Sequence, residues 1–490
     1  MLHYTTPEQA GIPSAAVERF IDRLEQNRLC MHDFIMIKNG GILAEGYWKP
    51  FHNLRKHRMY SVSKSFVAIA VGVMIGEGKL SLDDHVAGFF PEKLPENPHP
   101  YILEMTVRDL LRMSTCHDRT SYGPEDPDWV ATFFQRKPTH RPGRVFHYDT
   151  AATVTLNAIV EKLADEPFLE YLKPRFLAPL GVSEDAWCVK RPEGGSWGGS
   201  GVMVTAMDLA RVAYCCMHGG QYEGKQLIPE WYIREATTRQ IDNRTAEADP
   251  EWQFGYGYQF WCVRNGGFAM NGMGSQFAIC LPQHDFILIT NGDTQECKTG
   301  ASIILNALWT EIYPYLTGSK PALSAPAEAE SLKKRIENLH VMPEQGGMCS
   351  TRANEWSGVK FVMDENPMGI KWTRFFFEDG AATMQYENAQ GECELKFGVG
   401  SVHAQKFPQK NYFGEQIGHI PGIRYDCLCT AAWADETSIA GHVWVADDYF
   451  GSVKLHVVFE EDNVTIIMQK TAEWFLEEYQ GFASGVKTAE

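Results

Sequence analysis

The sequence predicts a mixed α/β domain, built as an antiparallel sheet flanked by helices with an added helical subdomain, followed by a C-terminal β-barrel domain. Three observations predict this architecture. Helical and strand-like apolar patterns alternate through residues 1–317. Residues 318–327 are rich in Gly, Ser, Ala and Pro, as a linker would be. Residues 328–490 then contain short aromatic and β-branched runs between turn signals, which is typical of an all-β module.

The composition is that of a folded protein with more than one domain. The chain has 490 residues, of which 44% are apolar and 22% charged, and such a length exceeds a single compact core. The net charge of −17 disfavours nucleic acids and anionic membranes as partners, because both need a basic surface. We therefore expect a small-molecule substrate, and a homo-oligomer stays open.

The cysteines and the first residues indicate a reducing compartment. The twelve cysteines include no CxxC pair, so neither a zinc site nor a disulfide framework is expected. Scattered cysteines more often act as small buried hydrophobes. The N-terminus has no basic region followed by an apolar core, and no run is long enough to span a membrane. We expect a cytoplasmic protein that uses neither a metal nor another cofactor.

Apolar periodicity and turn residues predict the individual elements. In the first domain they are a helix over 13–27, a hairpin over 32–48, a buried helix after Ser61, a short helix after Thr106, helices over 150–163, 168–177 and 205–217, strands over 254–263, 268–270, 276–281 and 286–290, and a helix over 301–312. After the linker, a helix over 328–339 precedes the strands of the second domain.

The stretch from Met59 to Phe66 opens the most apolar helix of the chain. Residues 67–75 are apolar on every side, and glycines at 76 and 78 end the run. Lys64 lies near its start, and a lysine is almost never fully buried unless something pairs with it. Ser61 lies about one turn earlier on the same face. A hydroxyl beside a desolvated amine is one way to make a serine nucleophilic.

The Ser-x-x-Lys spacing alone is weak evidence, because it recurs at Ser331, Ser357 and Ser484. Those serines lie in a charged run or beside glycines, whereas Ser61 opens a long apolar helix. The alternative for this stretch is a helix cap at Ser61 with Lys64 reaching out to solvent. A second glycine-rich run, 194–201, lacks the preceding strand and the Gly-Lys-Ser/Thr ending of a phosphate loop, so no nucleotide site is expected.

Tyr148 is a candidate general base. It precedes a predicted helix and stands two residues before Thr150. An ordinary tyrosine has a pKa near ~10 and is a poor base, but a neighbouring ammonium favours the phenolate. With Lys64 as that ammonium, Tyr148 could take the proton of Ser61 and return it to the leaving group. The alternative is a tyrosine packed in the core with a satisfied hydroxyl.

The run from Gly272 to Gln276 is a candidate oxyanion hole. Its glycines precede a strand, and glycine at such a place lets a substrate approach the backbone closely. We expect the amide N–H groups of Ser61 and Ser275 to hold a developing oxyanion together.

These elements, in this order, resemble the serine β-lactamase and penicillin-binding-protein superfamily, and in detail its class C and esterase-like branch, which includes 6-aminohexanoate-dimer hydrolase. The similarity covers roughly residues 6–315. The resemblance implies that Ser61 is the acylated nucleophile, Lys64 its partner and Tyr148 the general base. The supporting stretches are 59–64, 143–150, 201–211, 255–261 and 272–276. The C-terminal module resembles the lipocalin-like appendage of some D-aminopeptidase-type relatives.

Two departures from the family pattern bear on the substrate. Thr150 stands where the family's Tyr-x-Asn motif has an amide, and Gly272-Met273-Gly274 replaces its Lys-Thr-Gly triplet. A literal Lys298-Thr299-Gly300 opens a predicted helix, so we interpret it as a decoy. We expect Thr150, Gly272, Gly274 and Gln276 to contact substrate, without the cation that usually anchors a β-lactam carboxylate.

The sequence therefore predicts a serine hydrolase that forms an acyl-enzyme on Ser61 and cleaves an amide, ester or peptide bond of a small substrate. Two alternatives stay within the superfamily: a true class C-type β-lactamase, and a D-aminopeptidase or carboxypeptidase. The alternative from another class is a catalytically silent ligand-binding or sensor module with the same fold.

Overall fold

The computed structural model describes residues 2–245, 249–322, 325–409 and 424–488, and the chain divides into two units. The first unit runs to Thr294 and resumes over Thr299–Leu339. The second unit comprises Gln295–Lys298 and most of the chain after His340. Residues 323 and 324 of the predicted linker lie outside the described residues.

The first unit is built around a seven-stranded sheet in the order β1-β3-β2-β12-β11-β10-β9. All its neighbouring strands are antiparallel except β1 and β3. A small sheet in the order β4-β6-β5 and a hairpin of β7 and β8 lie outside it. The strands are β1 His3–Tyr4, β2 Met31–Lys38, β3 Gly41–Tyr47, β4 His57–Arg58, β5 Trp187–Cys188, β6 Val202–Val204, β7 Gln221–Tyr222, β8 Lys225–Gln226, β9 Trp261–Val263, β10 Gly267–Gly272, β11 Gln276–Leu281 and β12 Phe286–Gly292.

Helices surround this sheet, and the helix that follows Ser61 is buried almost completely. Twelve of the fourteen residues of α2 are buried, as expected for a helix that is apolar on every side. The helices are α1 Ser14–Gln26, α2 Ser63–Gly76, α3 Pro100–Glu104, α4 Val107–Leu111, α5 Trp129–Gln135, α6 Thr150–Ala164, α7 Phe168–Leu172, α8 Ala206–Met217, α9 Glu230–Ala236, α10 Gly300–Ala307, α11 Tyr313–Leu316 and α12 Pro326–Glu337. Capping boxes at Thr106 and Thr205 begin α4 and α8.

The second unit contains a β-barrel. Among the residues that the structure describes, nine strands pair in a closed ring, because β16 also pairs with β18, and β17 adds to β18 from outside the ring. A short helix, α13 Ala353–Trp356, precedes the barrel. The strands are β13 Lys360–Met363, β14 Trp372–Glu378, β15 Ala381–Asn388, β16 Gly391–Val399, β17 His403–Lys406, β18 Asp426–Trp433, β19 Ser438–Ala446, β20 Phe450–Glu460, β21 Asn463–Ala472 and β22 Gly481–Lys487. The predicted fold class is confirmed.

Two predicted elements differ from the structure. The strand predicted over 254–263 is confined to β9, because Gly255 and Gln259 have positive φ angles of 108° and 63°, which a strand cannot accommodate. The helix predicted over 328–339 was placed at the start of the second domain. It is α12, and it belongs to the first unit. Its Arg335 forms ion pairs with Asp22 and Glu25 of α1. Within the described ranges, we find no helix with the length and apolarity needed to cross a membrane.

Candidate active site

Ser61 lies in the first unit, on a 3-10 turn over Tyr60–Val62 that leads directly into α2. The side chain is half-buried. Tyr60, just before it, has a φ of 45°, and a non-glycine residue in this left-handed region costs roughly 1–3 kcal/mol unless its surroundings hold it. The backbone N–H of Met59 donates to the Val202 carbonyl at 2.8 Å, which ties the turn to β6.

Lys64 is buried and points at Ser61. Its side chain is 1% exposed, which excludes the alternative in which it reaches out to solvent. Nζ lies 2.9 Å from Ser61 Oγ and donates to the Gly199 carbonyl at 2.7 Å. A buried ammonium needs partners of this kind, because unpaired burial of a charge is costly. The predicted pair of Ser61 and Lys64 is therefore in hydrogen-bond contact.

Tyr148 is a second neighbour of the Lys64 ammonium. The Lys64 Nζ atom is 5.0 Å from the centroid of the Tyr148 ring, within the range of a cation–π interaction. The ring also stacks on Trp261 of β9, at 5.4 Å between centroids and an interplanar angle of 29°. Tyr148 is half-buried, so the alternative of a fully buried core tyrosine does not describe it.

The glycine-rich run 194–201 reaches the site through Gly199, next to Lys64. The sequence did not predict this role for the run. Gly199 provides the carbonyl that accepts from Lys64. A Cβ on Gly199 would lie 2.6 Å from Cγ2 of Thr150, so glycine permits the close approach of this loop to α6. The predicted substrate residue Thr150, half-buried, is thus a neighbour of Gly199. Glycine-richness was the one signal in the sequence that could have identified this loop.

The end of β10 lies against the Ser61 turn. A Cβ on Gly272 would lie 2.3 Å from the Met59 carbonyl oxygen and 3.3 Å from the Val62 nitrogen, so a larger residue does not fit there. The prediction for Ser275 is not matched by its geometry. Its amide N–H donates to the Gly272 carbonyl at 3.2 Å, and its hydroxyl lies 2.7 Å from that of Thr294. The Ser275 amide is therefore engaged inside the turn.

Gln276 and Gly274 hold the same turn. Nε2 of Gln276 donates to the carbonyls of Met273 at 2.9 Å and Gly292 at 2.6 Å, and its Oε1 accepts from the Gly292 amide at 3.3 Å. The side chain is buried. Gly274 has a φ of 77°, and a Cβ there would lie 2.9 Å from the Gly292 oxygen. In this structure both residues shape the turn, whereas we had expected them to contact substrate.

Asp149, between Tyr148 and Thr150, is a buried carboxyl that sequence reasoning missed. Its Oδ1 accepts from the Ala151 amide at 2.9 Å and from the Thr120 hydroxyl at 3.1 Å. Its Oδ2 is buried without a hydrogen-bond partner in the part of the chain that the structure describes. Burial raises the pKa of Asp149 to about 6, against the lowering effects of the Ala151 N–H, the Thr120 hydroxyl and the Lys64 ammonium.

The literal Lys298-Thr299-Gly300 triplet is not on a strand edge. Thr299 is the residue before α10 and Gly300 is its first residue, as expected for a decoy. Across residues 2–245, 249–322, 325–409 and 424–488, no group of three or more His, Cys, Asp or Glu side chains is arranged to hold a metal ion.

Comparisons with known proteins agree on one family. The β-lactamase family model matches residues 7–305. The 6-aminohexanoate-dimer hydrolase of Paenarthrobacter ureafaciens is 27% identical over 295 residues, which cover 55% of this chain and 74% of the relative. The octameric penicillin-binding protein homologue of Pyrococcus abyssi superposes with a TM-score of 0.50 at 14% identity and covers 96% of this chain and 99% of its own. The hydrolase EstCE1, described as having promiscuous acyltransferase activity, superposes with a TM-score of 0.51 at 17% identity and covers 60% of this chain and 98% of its own. At these identities the two solved structures show the fold alone.

Proposed function

The chain belongs to the β-lactamase family, and we propose that it is a serine hydrolase that forms an acyl-enzyme on Ser61. Its substrates are small molecules with an amide, ester or peptide bond. The observation that carries this proposal is the buried Lys64, 1% exposed, whose Nζ lies 2.9 Å from Ser61 Oγ. The hydrolase activity named for the relative from Paenarthrobacter ureafaciens supports it.

Tyr148 acts as the general base. The Lys64 ammonium next to its ring favours the phenolate, since an opposite charge within a few ångströms favours the charged form. Ser61 Oγ forms a bond to the substrate carbonyl carbon while its proton moves to the Tyr148 oxygen. The C–N or C–O bond of the substrate then breaks, and the leaving group takes that proton. Water later cleaves the Ser61 ester and restores the hydroxyl.

The oxyanion hole combines the Ser61 amide with the amide of Met273, in place of Ser275. Met273 directly follows Gly272, whose backbone touches the Ser61 turn. The Ser275 amide is occupied by the Gly272 carbonyl, whereas the Met273 amide has no hydrogen bond to another described residue. Two preorganised N–H donors of this kind stabilise the charge that develops on the carbonyl oxygen.

The substrate preference follows from Gly272. A cation at this strand edge would hold a substrate carboxylate through a charge-assisted hydrogen bond, which contributes roughly 1.5–3 kcal/mol. Glycine offers no such side chain, so esters and neutral or cationic amides should react faster than β-lactams, whose carboxylate is obligatory. The comparison is kcat/KM for a chromogenic cephalosporin, a short-chain nitrophenyl ester and a D-aminoacyl anilide. A cephalosporin preferred by tenfold or more, about 1.4 kcal/mol, would favour the β-lactamase alternative.

The direct test is covalent labelling. The protein is incubated with an alkyl fluorophosphonate, and its intact mass and peptide map are measured. We expect one adduct on Ser61 and none in Ser61→Ala. Ser331→Ala is the matched control, because Ser331 has the same Ser-x-x-Lys spacing on the exposed face of α12, and it should label like the wild type. An unlabelled wild type would favour the binding or sensor module.

A further inference from the structure

Arg58 is a fully buried arginine three residues before Ser61. Its side chain is 0% exposed. Its backbone belongs to β4, which pairs with β6 so that Arg58 lies opposite Met203. Charged side chains are rarely buried this completely unless other groups hold them in place. The position of Arg58 beside the candidate nucleophile therefore raises the question of what this cation does.

The guanidinium contacts two aromatic rings. Its central carbon lies 4.5 Å from the centroid of the Tyr60 ring and 4.6 Å from the centroid of the Trp197 ring. Both distances are typical of cation–π contacts, which strengthen when water is excluded. Together the two rings restrict the orientation of the planar group.

This orientation directs two donors at a single residue of the glycine-rich loop. Nε donates to the Ser200 carbonyl at 3.0 Å, and Nη2 donates to the Ser200 hydroxyl at 3.2 Å. A fork of two parallel hydrogen bonds fixes direction as well as distance. Arg58 thus locates Ser200 relative to the segment that leads into Ser61.

Ser200 directly follows Gly199, whose carbonyl accepts from Lys64 Nζ at 2.7 Å. A shift of Ser200 therefore moves the acceptor that directs the Lys64 ammonium. The loop has little room to adjust elsewhere, because a Cβ on Gly198 would already lie 2.6 Å from Oδ1 of Asn157. Arg58 and Lys64 are thereby connected through one peptide unit.

We propose that Arg58 is a positioning residue that fixes the Gly199–Ser200 peptide, so that the Gly199 carbonyl directs the Lys64 ammonium at Ser61 Oγ. This inference rests on the proposed function of Ser61 and Lys64. A purely structural arginine would affect stability alone. A positioning residue must also affect the rate and the pH dependence of Ser61 acylation.

The test is Arg58→Lys in the full chain, which keeps the charge and the aliphatic stem but loses the planar fork. Pseudo-first-order labelling by an alkyl fluorophosphonate is measured from pH 5 to 10. We expect labelling to slow about tenfold or more, since a misplacement of ~1 Å costs on the order of 10²-fold. The Gly199 carbonyl stabilises the ammonium of Lys64 over the neutral amine. Its displacement should therefore move the alkaline limb of the profile to lower pH.

Arg191→Lys is the matched control. Arg191 is also buried and donates to the same loop, at the Ser196 carbonyl, 3.2 Å away, but it does not contact Ser200 in any described hydrogen bond. The Arg191→Lys variant should therefore keep the alkaline limb of the labelling profile at the wild-type pH. Ser200→Ala is a second variant. It removes the Ser200 hydroxyl, one of the two acceptors of Arg58, without adding a larger side chain. We expect it to slow labelling about threefold or more.

The outcomes separate cleanly. The inference is overturned if Arg58→Lys and Ser200→Ala label at the wild-type rate and keep the alkaline limb of the wild-type pH profile. It is also overturned if Arg58→Lys and Arg191→Lys behave identically. Where Arg58→Lys does not fold by circular dichroism, the rate and limb of Ser200→Ala decide. Failure of the proposed function looks different, because the wild type itself would then show no adduct on Ser61.

Discussion

Replacement of Asp149 by asparagine should change how stability depends on pH. Asp149 precedes α6 and caps it through the Ala151 amide at 2.9 Å, a role that asparagine fills equally well. Burial raises its pKa from 3.8 to about 6. Between these two values the unfolded chain releases the proton while the folded protein keeps it. The folded protein then binds more protons, so its stability falls as the pH rises.

The magnitude follows from the size of the shift. A difference of roughly 2.2 pKa units corresponds to about 3 kcal/mol, at 1.36 kcal/mol per unit. The loss of folding stability caused by ionising Asp149 is absent below pH ~4, grows up to pH ~6 and is constant above pH ~6. Because Asp149→Asn has no proton to lose, it should gain stability relative to the wild type by up to about 3 kcal/mol between pH 4 and 7. Urea unfolding, read by pulse proteolysis at each pH, measures this difference.

Asp128→Asn is the matched control with the opposite sign. Asp128 caps α5 through the Ala131 amide at 2.9 Å. Burial raises its pKa, but the hydrogen bond from Lys93 and the capping bond outweigh burial and hold the pKa below the usual value. Its contribution is present above pH ~4 and is lost as the pH falls, so Asp128→Asn should lose stability relative to the wild type as the pH rises. The reasoning is refuted if the Asp149→Asn difference is independent of pH, or has the same sign as that of Asp128→Asn.

Three further predictions concern the site and the domains. Lys64→Ala should lose nearly as much hydrolysis of a nitrophenyl ester as Ser61→Ala, and the double variant should lose no more than Ser61→Ala alone, because members of one catalytic unit are non-additive; losses that multiply would count against the unit. Gly272→Ala should lose about 1–3 kcal/mol of stability and label more slowly, because its Cβ would come within 2.3 Å of a backbone oxygen, whereas Gly88→Ala, with nothing within 4 Å, should change neither. A chain ending at Leu339 should fold and label, because α12 belongs to the first unit; a folded but unlabelled product would show that the barrel completes the site.

The sequence-based prediction was most accurate where the signal is local. The hairpin of β2 and β3 follows from two apolar runs that flank an Asn-Gly turn, and the capping box at Thr205 begins α8 through residues three apart. It was wrong for 254–260, where aromatic residues suggested a strand. Tyr256 and Tyr258 are instead buried side chains of an irregular segment, because the positive φ angles of Gly255 and Gln259 interrupt the strand.

For the candidate site, the sequence by itself determined the pair of Ser61 and Lys64, because a spacing of three positions places both side chains on one helical face. It also determined that α2 is buried, because no face of α2 is polar. The tertiary structure decided the partners that are distant along the chain. The Gly199 acceptor lies 135 positions from Lys64, and Ser200 lies 142 positions from Arg58. No spacing rule relates such residues, because their contact depends on how the small β4-β6 sheet closes. Ser275 is a different case, because its amide donates to the carbonyl of the nearby Gly272 once the turn after β10 has formed.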